Sequence, residues 1–250
     1  MENSFSLVNQ RYFPPLGTAT KLFKLLQQIG LPVQELGIPI WTKRLQHKVI
    51  LRPLTSDVSA FSQIFIGDEF GRLEIKNPKV ILDLGANIGC TSIYSLNRWP
   101  DAKIFAVEAD PANFPLLVEN LKPYGSRATP VLGAVTDYSG YAAIERSEMG
   151  HWASRITEED ITGHPTVPAV TLGNILSWVP DKRIDLIKMD IEGAETAVLG
   201  WLSLHVPEFA GALLAVELHN NLAVKRFNKL TMQISSDVYQ FGEYHAIYLP

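Results

Sequence analysis

The sequence predicts an α/β fold in which a doubly wound sheet of parallel strands carries a helical cap at its N-terminal end. From Lys76 onward, short apolar runs alternate with segments of helical periodicity, a pattern typical of strands buried on both faces of a parallel sheet. The first of these runs ends in a turn that contains two glycines. Of the 250 residues, 46% are hydrophobic and 19% charged, so the composition suffices to fill the core of one large domain.

The predicted sheet core occupies residues 76–250, where strand and helix patterns follow one another. Each predicted strand is a continuous apolar run, and each helix shows an apolar stripe. A segment of turns and short β pieces, residues 138–156, interrupts the alternation. The predicted strands are residues 79–84, 103–107, 130–135, 184–189, 212–218 and 244–249, and the predicted helices are residues 91–99, 111–121, 171–178, 194–201 and 221–234.

Residues 1–75 are predicted to form a separate helical segment that prolines divide into short pieces. Residues 56–65 have the pattern of a capped helix with one apolar side. Phe61, Phe65 and Phe70 make this segment a candidate lid over the functional site. The alternative is that it only covers one face of the sheet.

Composition and charge exclude several classes of protein. The net charge is −4 and the pI about 5.9, and no stripe of Lys and Arg is present, so nucleic-acid binding is not expected. One cysteine, Cys90, excludes an internal disulfide and a zinc site built from cysteines. No apolar run approaches the ~20 residues that span a bilayer. Because residues 1–11 also lack the layout of a signal peptide, we expect a cytoplasmic protein with no membrane partner.

The turn after the first predicted strand carries the signal for a cofactor. Glycines there let the backbone approach a ligand and adopt conformations that a Cβ would obstruct. An NAD site requires G-x-G-x-x-G, but Asn87 and Cys90 stand where its second and third glycines would be. S-adenosylmethionine (SAM) has no phosphate, so an acidic residue and backbone groups suit it better. We therefore predict that SAM is contacted by Asp83, Gly85, Ala86, Asn87 and Gly89.

Glu108 ends the second predicted strand, about 20 residues after the glycine turn, where an acidic residue can accept hydrogen bonds from both ribose hydroxyls. SAM and NAD both require such a residue, so Glu108 supports an adenosyl cofactor without choosing between them. The adenine is then expected near Ala134, at the end of the third predicted strand.

Acidic residues also follow the fourth predicted strand, at the edge where doubly wound sheets bind ligands. Asp190 and Glu192 alternate there, so their side chains are expected on one side. General base, ligand of a divalent cation and anchor for SAM are the roles that remain open for Asp190. Glu195 is interpreted as a helix cap, because acidic side chains favour helix N-termini.

His219 follows the fifth predicted strand at the same edge of the sheet. Imidazole is the commonest general base near neutral pH. His219, with Asp190, is therefore a candidate for taking the proton of the substrate that accepts the methyl group of SAM. Glu217 lies two residues earlier, on the same face, and is expected to orient or pair with it. The alternative is a hydrogen-bonded core histidine without a catalytic role.

These elements together resemble the FkbM-type methyltransferases. The resemblance lies in VILDLGANIGCTS, FAVEADP, TLGNIL, IDLIKMDIEGAE and LLAVELH, and DIEGAE is its most specific part. It covers roughly residues 57–219 and implies a SAM-dependent, Rossmann-like fold that O-methylates natural products or sugars. It also implies that Asp83, Gly85, Asn87 and Glu108 contact SAM.

The expected function is therefore methyl transfer from SAM to a hydroxyl of a small molecule. A metal-assisted form would hold Mg²⁺ with Asp190 and a carboxylate such as Glu192 or Glu217. Two other functions stay open: an NAD-dependent oxidoreductase on the same fold, and a SAM-binding module without catalysis that partners a biosynthetic complex.

Overall fold

A seven-stranded sheet forms the centre of the protein, and one of its strands is antiparallel to the others. The computed structural model describes residues 24–28, 32–42, 44–144 and 166–250. The strands of this sheet are β3 (Val80–Leu84), β4 (Lys103–Glu108), β5 (Ala128–Leu132), β9 (Leu186–Met189), β10 (Leu213–Glu217), β11 (Tyr239–Phe241) and β12 (Tyr244–Tyr248). Their order across the sheet is β11-β12-β10-β9-β3-β4-β5, and β12 is the antiparallel strand.

The predicted doubly wound fold is confirmed by the direction in which the chain crosses the sheet. From β3 the chain moves to β4 and β5 on one side, and it later returns to β9 and β10 on the other. The carboxyl ends of β3 and β9 therefore meet where the strand order reverses, which is the crevice that binds ligands in such sheets. The sequence pattern missed β11, a short edge strand joined to β12 by a tight turn at Gly242.

Helices cover both faces of the sheet, as the continuous apolar runs of the strands predicted. One face packs against α1 (Ser56–Phe61), α2 (Cys90–Arg98) and α3 (Phe114–Leu121). The other packs against α4 (Leu172–Trp178), α5 (Glu195–Leu202) and α6 (Asn221–Ile234). Every predicted helix from residue 91 onward is present, with ends that differ by up to a few residues.

The described part of residues 1–75 belongs to the first of these two cores. Phe61, Phe65 and Phe70 are buried in one cluster with Ile81 of β3 and Ile93 of α2. Their burial in this core agrees with the alternative that the segment covers one face of the sheet, and the lid role stays a prediction. A short antiparallel pair, β1 (Ile38–Ile40) and β2 (Val49–Leu51), precedes α1. The division into residues 1–75 and 76–250 stays a prediction.

A second, three-stranded sheet splits the third predicted strand in two. Residues 130–135 were expected to form one strand, but β5 ends at Leu132 in the large sheet. After Gly133, β6 (Ala134–Val135) pairs with β8 (Thr166–Val170), which also pairs with β7 (Gly140–Ala143). A Cβ on Gly133 would lie 3.1 Å from the carbonyl oxygen of Pro168, so glycine permits this close crossing. The remainder of the predicted turn segment, from residue 145, lies outside the described residues.

None of the helices in the described ranges is long and apolar enough to cross a membrane.

Candidate functional site

A cavity opens at the carboxyl edge of the sheet, where β3, β4 and β9 end. Its walls come from the glycine turn, from the end of β4 and the residues after it, and from the start of β6. Residues 190–194 close it on the β9 side, and Ser56 and Ile144 complete it. Of the predicted SAM contacts, four line this cavity: Gly85, Asn87, Glu108 and Ala134.

A glycine is required at position 85 because the chain after β3 passes close to the chain after β9. The sequence had suggested a different reason, the close approach of a ligand. The φ of Gly85 is +76°, and a Cβ there would lie 1.7 Å from the carbonyl oxygen of Asp190. The amides of Gly85 and Ala86 both donate to the carbonyl of Val107, at 2.9 Å each. The turn is therefore held against β4 on one side and against the end of β9 on the other.

Glu108 joins the glycine turn to the loop that follows β4, and both line one side of the cavity. Its Oε2 accepts a hydrogen bond from the amide of Asn87 at 2.7 Å, and its Oε1 accepts one from the amide of Asp110 at 2.9 Å. Desolvation by burial raises the pKa of Glu108 above its ordinary value, while the two amide hydrogen bonds act in the opposite direction. The carboxylate thus has fixed geometry before any ligand binds.

Two residues of the cavity wall each carry a buried acceptor atom that has no hydrogen-bond partner among the described residues. Asn87 Oδ1 and Asp110 Oδ2 are buried and make no hydrogen bond there. Buried acceptors normally have a donor, so their arrangement suits a ligand that carries hydroxyl or amino groups. SAM offers two ribose hydroxyls, an ammonium and an adenine amino group, and the acceptor set therefore fits it.

The other three predicted contacts, Asp83, Ala86 and Gly89, do not line the cavity. Asp83 is fully buried behind the turn, where its Oδ2 accepts a hydrogen bond from Ser92 at 2.6 Å. Gly89 precedes α2 with φ +93°, and a Cβ there would lie 2.9 Å from Leu117. These residues shape the turn from behind, so the structure places them as supports and not in the cavity wall.

Lys188, whose role the sequence did not indicate, is a buried cation that pairs with Asp83 and Asp190. Its ammonium donates to the carbonyl of Gly85 at 2.7 Å and lies 3.2 Å from Asp83 and 3.6 Å from Asp190. Desolvation lowers the pKa of Lys188, but the charges of Asp83 and Asp190 outweigh it and raise the pKa above its ordinary value. A lysine inside the apolar run of β9 was the available signal, since a buried ammonium needs a counter-charge.

His219 lies among four carboxylates on the β9 side of the cavity. Its Nδ1 is 2.8 Å from Glu195, and its Nε2 is 3.3 Å from Glu217. The same Nε2 is 3.6 Å from Asp190 and 3.8 Å from Glu192. Hydrogen bonds to Glu195 and Glu217 raise the pKa of His219 to about 11.

This pKa disagrees with the neutral imidazole on which the predicted general-base role of His219 depended. An imidazole with so high a pKa carries both ring protons near neutral pH and has no free nitrogen to accept another. The pairing of Glu217 with His219 is as expected. Glu195 accepts hydrogen bonds from the amides of Ile191 and Gly193, as a helix cap does, and it also fixes the ring, which the sequence did not indicate.

Asp190 is the residue at which the two sides of the site meet. With Glu192 it lines the cavity, and its Oδ2 accepts a hydrogen bond from the hydroxyl of Tyr244 at 3.3 Å. Asp190, Glu192 and His219 can each offer one ligand atom within 4.8 Å of the others. The structure therefore brings together the predicted catalytic pair and two of the three predicted metal candidates, with Glu217 beside His219.

The fold defines a Rossmann-like protein, and the cavity lies at the point where the strand order reverses, where such sheets bind ligands. The model of the family described as "Methyltransferase FkbM domain" matches residues 83–246, more than half of the chain. The chain belongs to this family.

Two similar curated proteins are fungal methyltransferases. "Methyltransferase 1" of Beauveria bassiana (strain ARSEF 2860) is 28% identical over 160 residues, which cover 55% of this chain and 64% of that protein. "Methyltransferase sdnD" of Sordaria araneosa is 27% identical over 171 residues, which cover 56% and 66%. The chain thus spans just under two thirds of the length of the relatives that it matches.

A solved structure of the same family supports the fold. It is the crystal structure of Methyltransferase FkbM from Methylobacillus flagellatus KT, with a TM-score of 0.51 and 16% sequence identity. The match covers 75% of this chain and 48% of that one.

Proposed function

We propose that this protein is a SAM-dependent methyltransferase that transfers the methyl group to a hydroxyl of a small molecule. The observation that carries the proposal is the cavity beside Glu108, where Asn87 and Asp110 each have a buried acceptor without a partner among the described residues, which suits a cofactor rich in donors. Family membership supports the reaction class, and the net charge of −4 supports a small molecule over a nucleic acid.

On the cofactor side, Glu108 would accept hydrogen bonds from the ribose hydroxyls of SAM. Ala134 and Val135, both buried and in the cavity wall, would provide the apolar surface for the adenine. Asn87 and Asp110 would accept from the remaining amino or hydroxyl donors. When bound, SAM supplies a methyl group already activated by the sulfonium, so the protein has to position the acceptor and exclude water.

On the acceptor side, Asp190 would receive the hydrogen bond, and then the proton, of the attacking hydroxyl. The carboxylate is held in place by Tyr244 and lies 3.6 Å from the ammonium of Lys188. His219 would act with Asp190 as a fixed positive charge, since the ring lies 3.6 Å from that carboxylate. In-line displacement at carbon requires the acceptor oxygen ~3–3.5 Å from the methyl carbon, so small shifts of Asp190 cost rate.

A second mechanism, with the same reaction, places a divalent cation between Asp190, Glu192 and His219. The observation that favours it is the convergence of their ligand atoms within 4.8 Å. His219 would have to lose the proton on Nε2 before that nitrogen could bind a metal. In this mechanism EDTA abolishes turnover and Mg²⁺ restores it.

Calorimetry and a methyl-transfer assay test the proposal. SAM and S-adenosylhomocysteine should bind and NAD should not, and labelled methyl should pass from SAM to a hydroxylated metabolite. NAD binding without SAM binding would instead establish the oxidoreductase alternative. SAM binding without transfer to any acceptor of a broad panel of hydroxylated metabolites would favour the non-catalytic module.

The catalytic assignment has its own test. Asp190→Asn should lower the rate by about 10²–10⁴, the range of general acid–base catalysis, with SAM affinity unchanged. His219→Ala should also lower the rate, because it removes the positive charge 3.6 Å from Asp190. If neither variant loses more than a few-fold and EDTA has no effect, both assignments are wrong and catalysis is positioning alone.

A further inference from the structure

A stretch of the N-terminal segment, from β2 to the start of α1, lies against both loops of the proposed cofactor site. Asn120 of α3 connects β2 to the glycine turn: it pairs with the amide and carbonyl of Ile50, at 2.7 and 3.0 Å, and donates to the carbonyl of Ile88 at 2.9 Å. Ser56, at the first position of α1, lies in the cavity wall. This stretch precedes residues 83–246, the part that the family model matches.

Arg52 makes the second connection, to the loop that follows β4. Its guanidinium donates to both carboxylate oxygens of Asp57, at 2.8 and 2.9 Å. The same group donates to the carbonyl of Ala112 at 3.2 Å and to the side-chain oxygen of Asn113. Asp57 is fully buried, so the ion pair fixes the guanidinium in one position.

The loop that Arg52 holds contains the residues that surround Glu108. Asn113 lines the cavity and donates to Glu108 Oε1 at 3.5 Å, and the amide of Asp110 donates to the same oxygen. Arg52 also places a positive charge near the buried carboxylates of Glu108 and Asp110. Displacement of the guanidinium would therefore release the loop and leave its two negative charges without this cation.

We propose that Arg52 is a positioning residue for the cofactor, because it holds the loop at residues 110–113 against the N-terminal segment and so sets the geometry of Glu108. The inference rests on the proposed binding of SAM. It predicts that cofactor affinity depends on a residue that lies outside the matched family domain.

Arg52→Lys separates positioning from folding. A lysine keeps a positive charge beside Asp57, but a single ammonium cannot reproduce the planar fork that reaches Asp57, Ala112 and Asn113 together. We expect calorimetry to show about tenfold weaker S-adenosylhomocysteine binding, from the loss of charge-assisted hydrogen bonds. Adenosine alone should weaken by the same factor, because the loop faces the ribose, and Arg52→Met should weaken both further.

Arg98→Lys is the matched control. Arg98 of α2 also ties the N-terminal segment to the sheet, through the carbonyls of Phe70 and Leu73, but neither it nor these carbonyls line the cavity. The melting temperature of the Arg98→Lys variant should fall about as far as that of Arg52→Lys. The affinity of Arg98→Lys for S-adenosylhomocysteine should stay within about twofold of wild type.

The outcomes separate the two proposals. If the wild-type protein binds S-adenosylhomocysteine and Arg52→Lys binds it equally well, the role of Arg52 is overturned and the proposed function stands. If Arg98→Lys weakens binding as much as Arg52→Lys, the effect is general loosening and the inference also fails. If the wild-type protein itself binds neither S-adenosylhomocysteine nor SAM, the proposed function fails, and the inference with it. Should Arg52→Met not fold, Arg52→Lys decides.

Discussion

The two sides of the cavity are built by different interactions. On the proposed cofactor side, a single carboxylate, Glu108, is held by backbone amides of its own and the neighbouring loop. On the proposed acceptor side, Asp190 and His219 are held by side-chain charges that come from β9, β10 and the start of α5. The first kind of contact uses one carboxylate and neutral backbone donors, whereas the second kind depends on several charged side chains at once. The two sides should therefore respond differently to mutation and to pH.

The largest effect is expected at Gly85, where the two sides touch. Gly85→Ala would place a Cβ 1.7 Å from the carbonyl oxygen of Asp190, so we expect a loss of stability above ~4 kcal/mol, or no folded protein. Gly125→Ala is the control, because Gly125 also has a positive φ but no atom of the described residues lies within 4 Å of its Cβ position. That variant should cost about 1–3 kcal/mol in urea unfolding, from backbone strain alone. Equal costs for the two would mean that the strands are not in tight contact.

Lys188→Met should come next, because it leaves Asp83 buried without its cation. Removal of one partner of a buried ion pair costs about 3–5 kcal/mol. Lys103→Met, at the exposed start of β4, should stay within about 0.5 kcal/mol of wild type in the same urea titration. A small loss at Lys188 would show that its ion pair with Asp83 contributes little to stability.

Glu108→Gln tests the cofactor side with little change of shape. The amide group of glutamine turns a donor toward one of the two backbone amides, so stability should fall by about 1–3 kcal/mol. Affinity for S-adenosylhomocysteine should fall at least about tenfold, since charge-assisted hydrogen bonds to ribose are lost. Glu119→Gln, on the exposed side of α3, should change neither quantity. If Glu108→Gln binds S-adenosylhomocysteine as tightly as wild type, Glu108 does not contact the ribose.

The remaining prediction concerns pH and the charge of His219 on the proposed acceptor side. The pKa of His219 is raised to about 11 in the folded protein, from an ordinary value near 6.5. The stability that its charge contributes is therefore fully present below about pH 6.5 and is lost as the pH rises toward 11. Between pH 6.5 and 10, the melting temperature of His219→Gln should fall less than that of wild type.

His47→Gln, at an exposed position, should follow the wild-type curve. If His219→Gln also follows it, the ring is not an imidazolium and the predicted general-base role becomes the better one. A direct check is the NMR titration of His219, which should stay protonated at pH 8.

The sequence indicated where Glu108 and the glycine turn lie more directly than it indicated the partners of His219, for a physical reason. Glu108 and the glycine turn follow strand ends at short and regular distances, so their positions follow from local pattern and from the sheet alone. Glu217 is a local partner of His219, but Glu195 is not: it reaches the ring from the start of α5, and its carboxylate looked like a simple helix cap.

The sequence did not indicate the roles of Arg52 and Lys188, and the two reasons are related. Nothing near Arg52 in the sequence indicates that its guanidinium reaches Asn113, which is brought close only by the packing of α1 and α3 on the same face. Lys188 stands in a pattern that otherwise indicates a buried strand, and its counter-charge on Asp83 comes from a neighbouring strand. Gly133 similarly looked like part of one strand, although the chain passes there from one sheet to another.

The contact between Gly85 and Asp190 also limits which segments of this site can be exchanged with those of a related protein. A chimera that exchanged only the turn at residues 85–89 for that of a distant relative would keep the β9 backbone of the recipient, and any difference in strand spacing would fall on this contact. The amide of Asp190 donates to the carbonyl of Leu84 at 3.0 Å, so the two segments also share a hydrogen bond. Residues 83–89 and 186–190 are therefore the smallest unit to exchange together when acceptor or cofactor preference is redesigned.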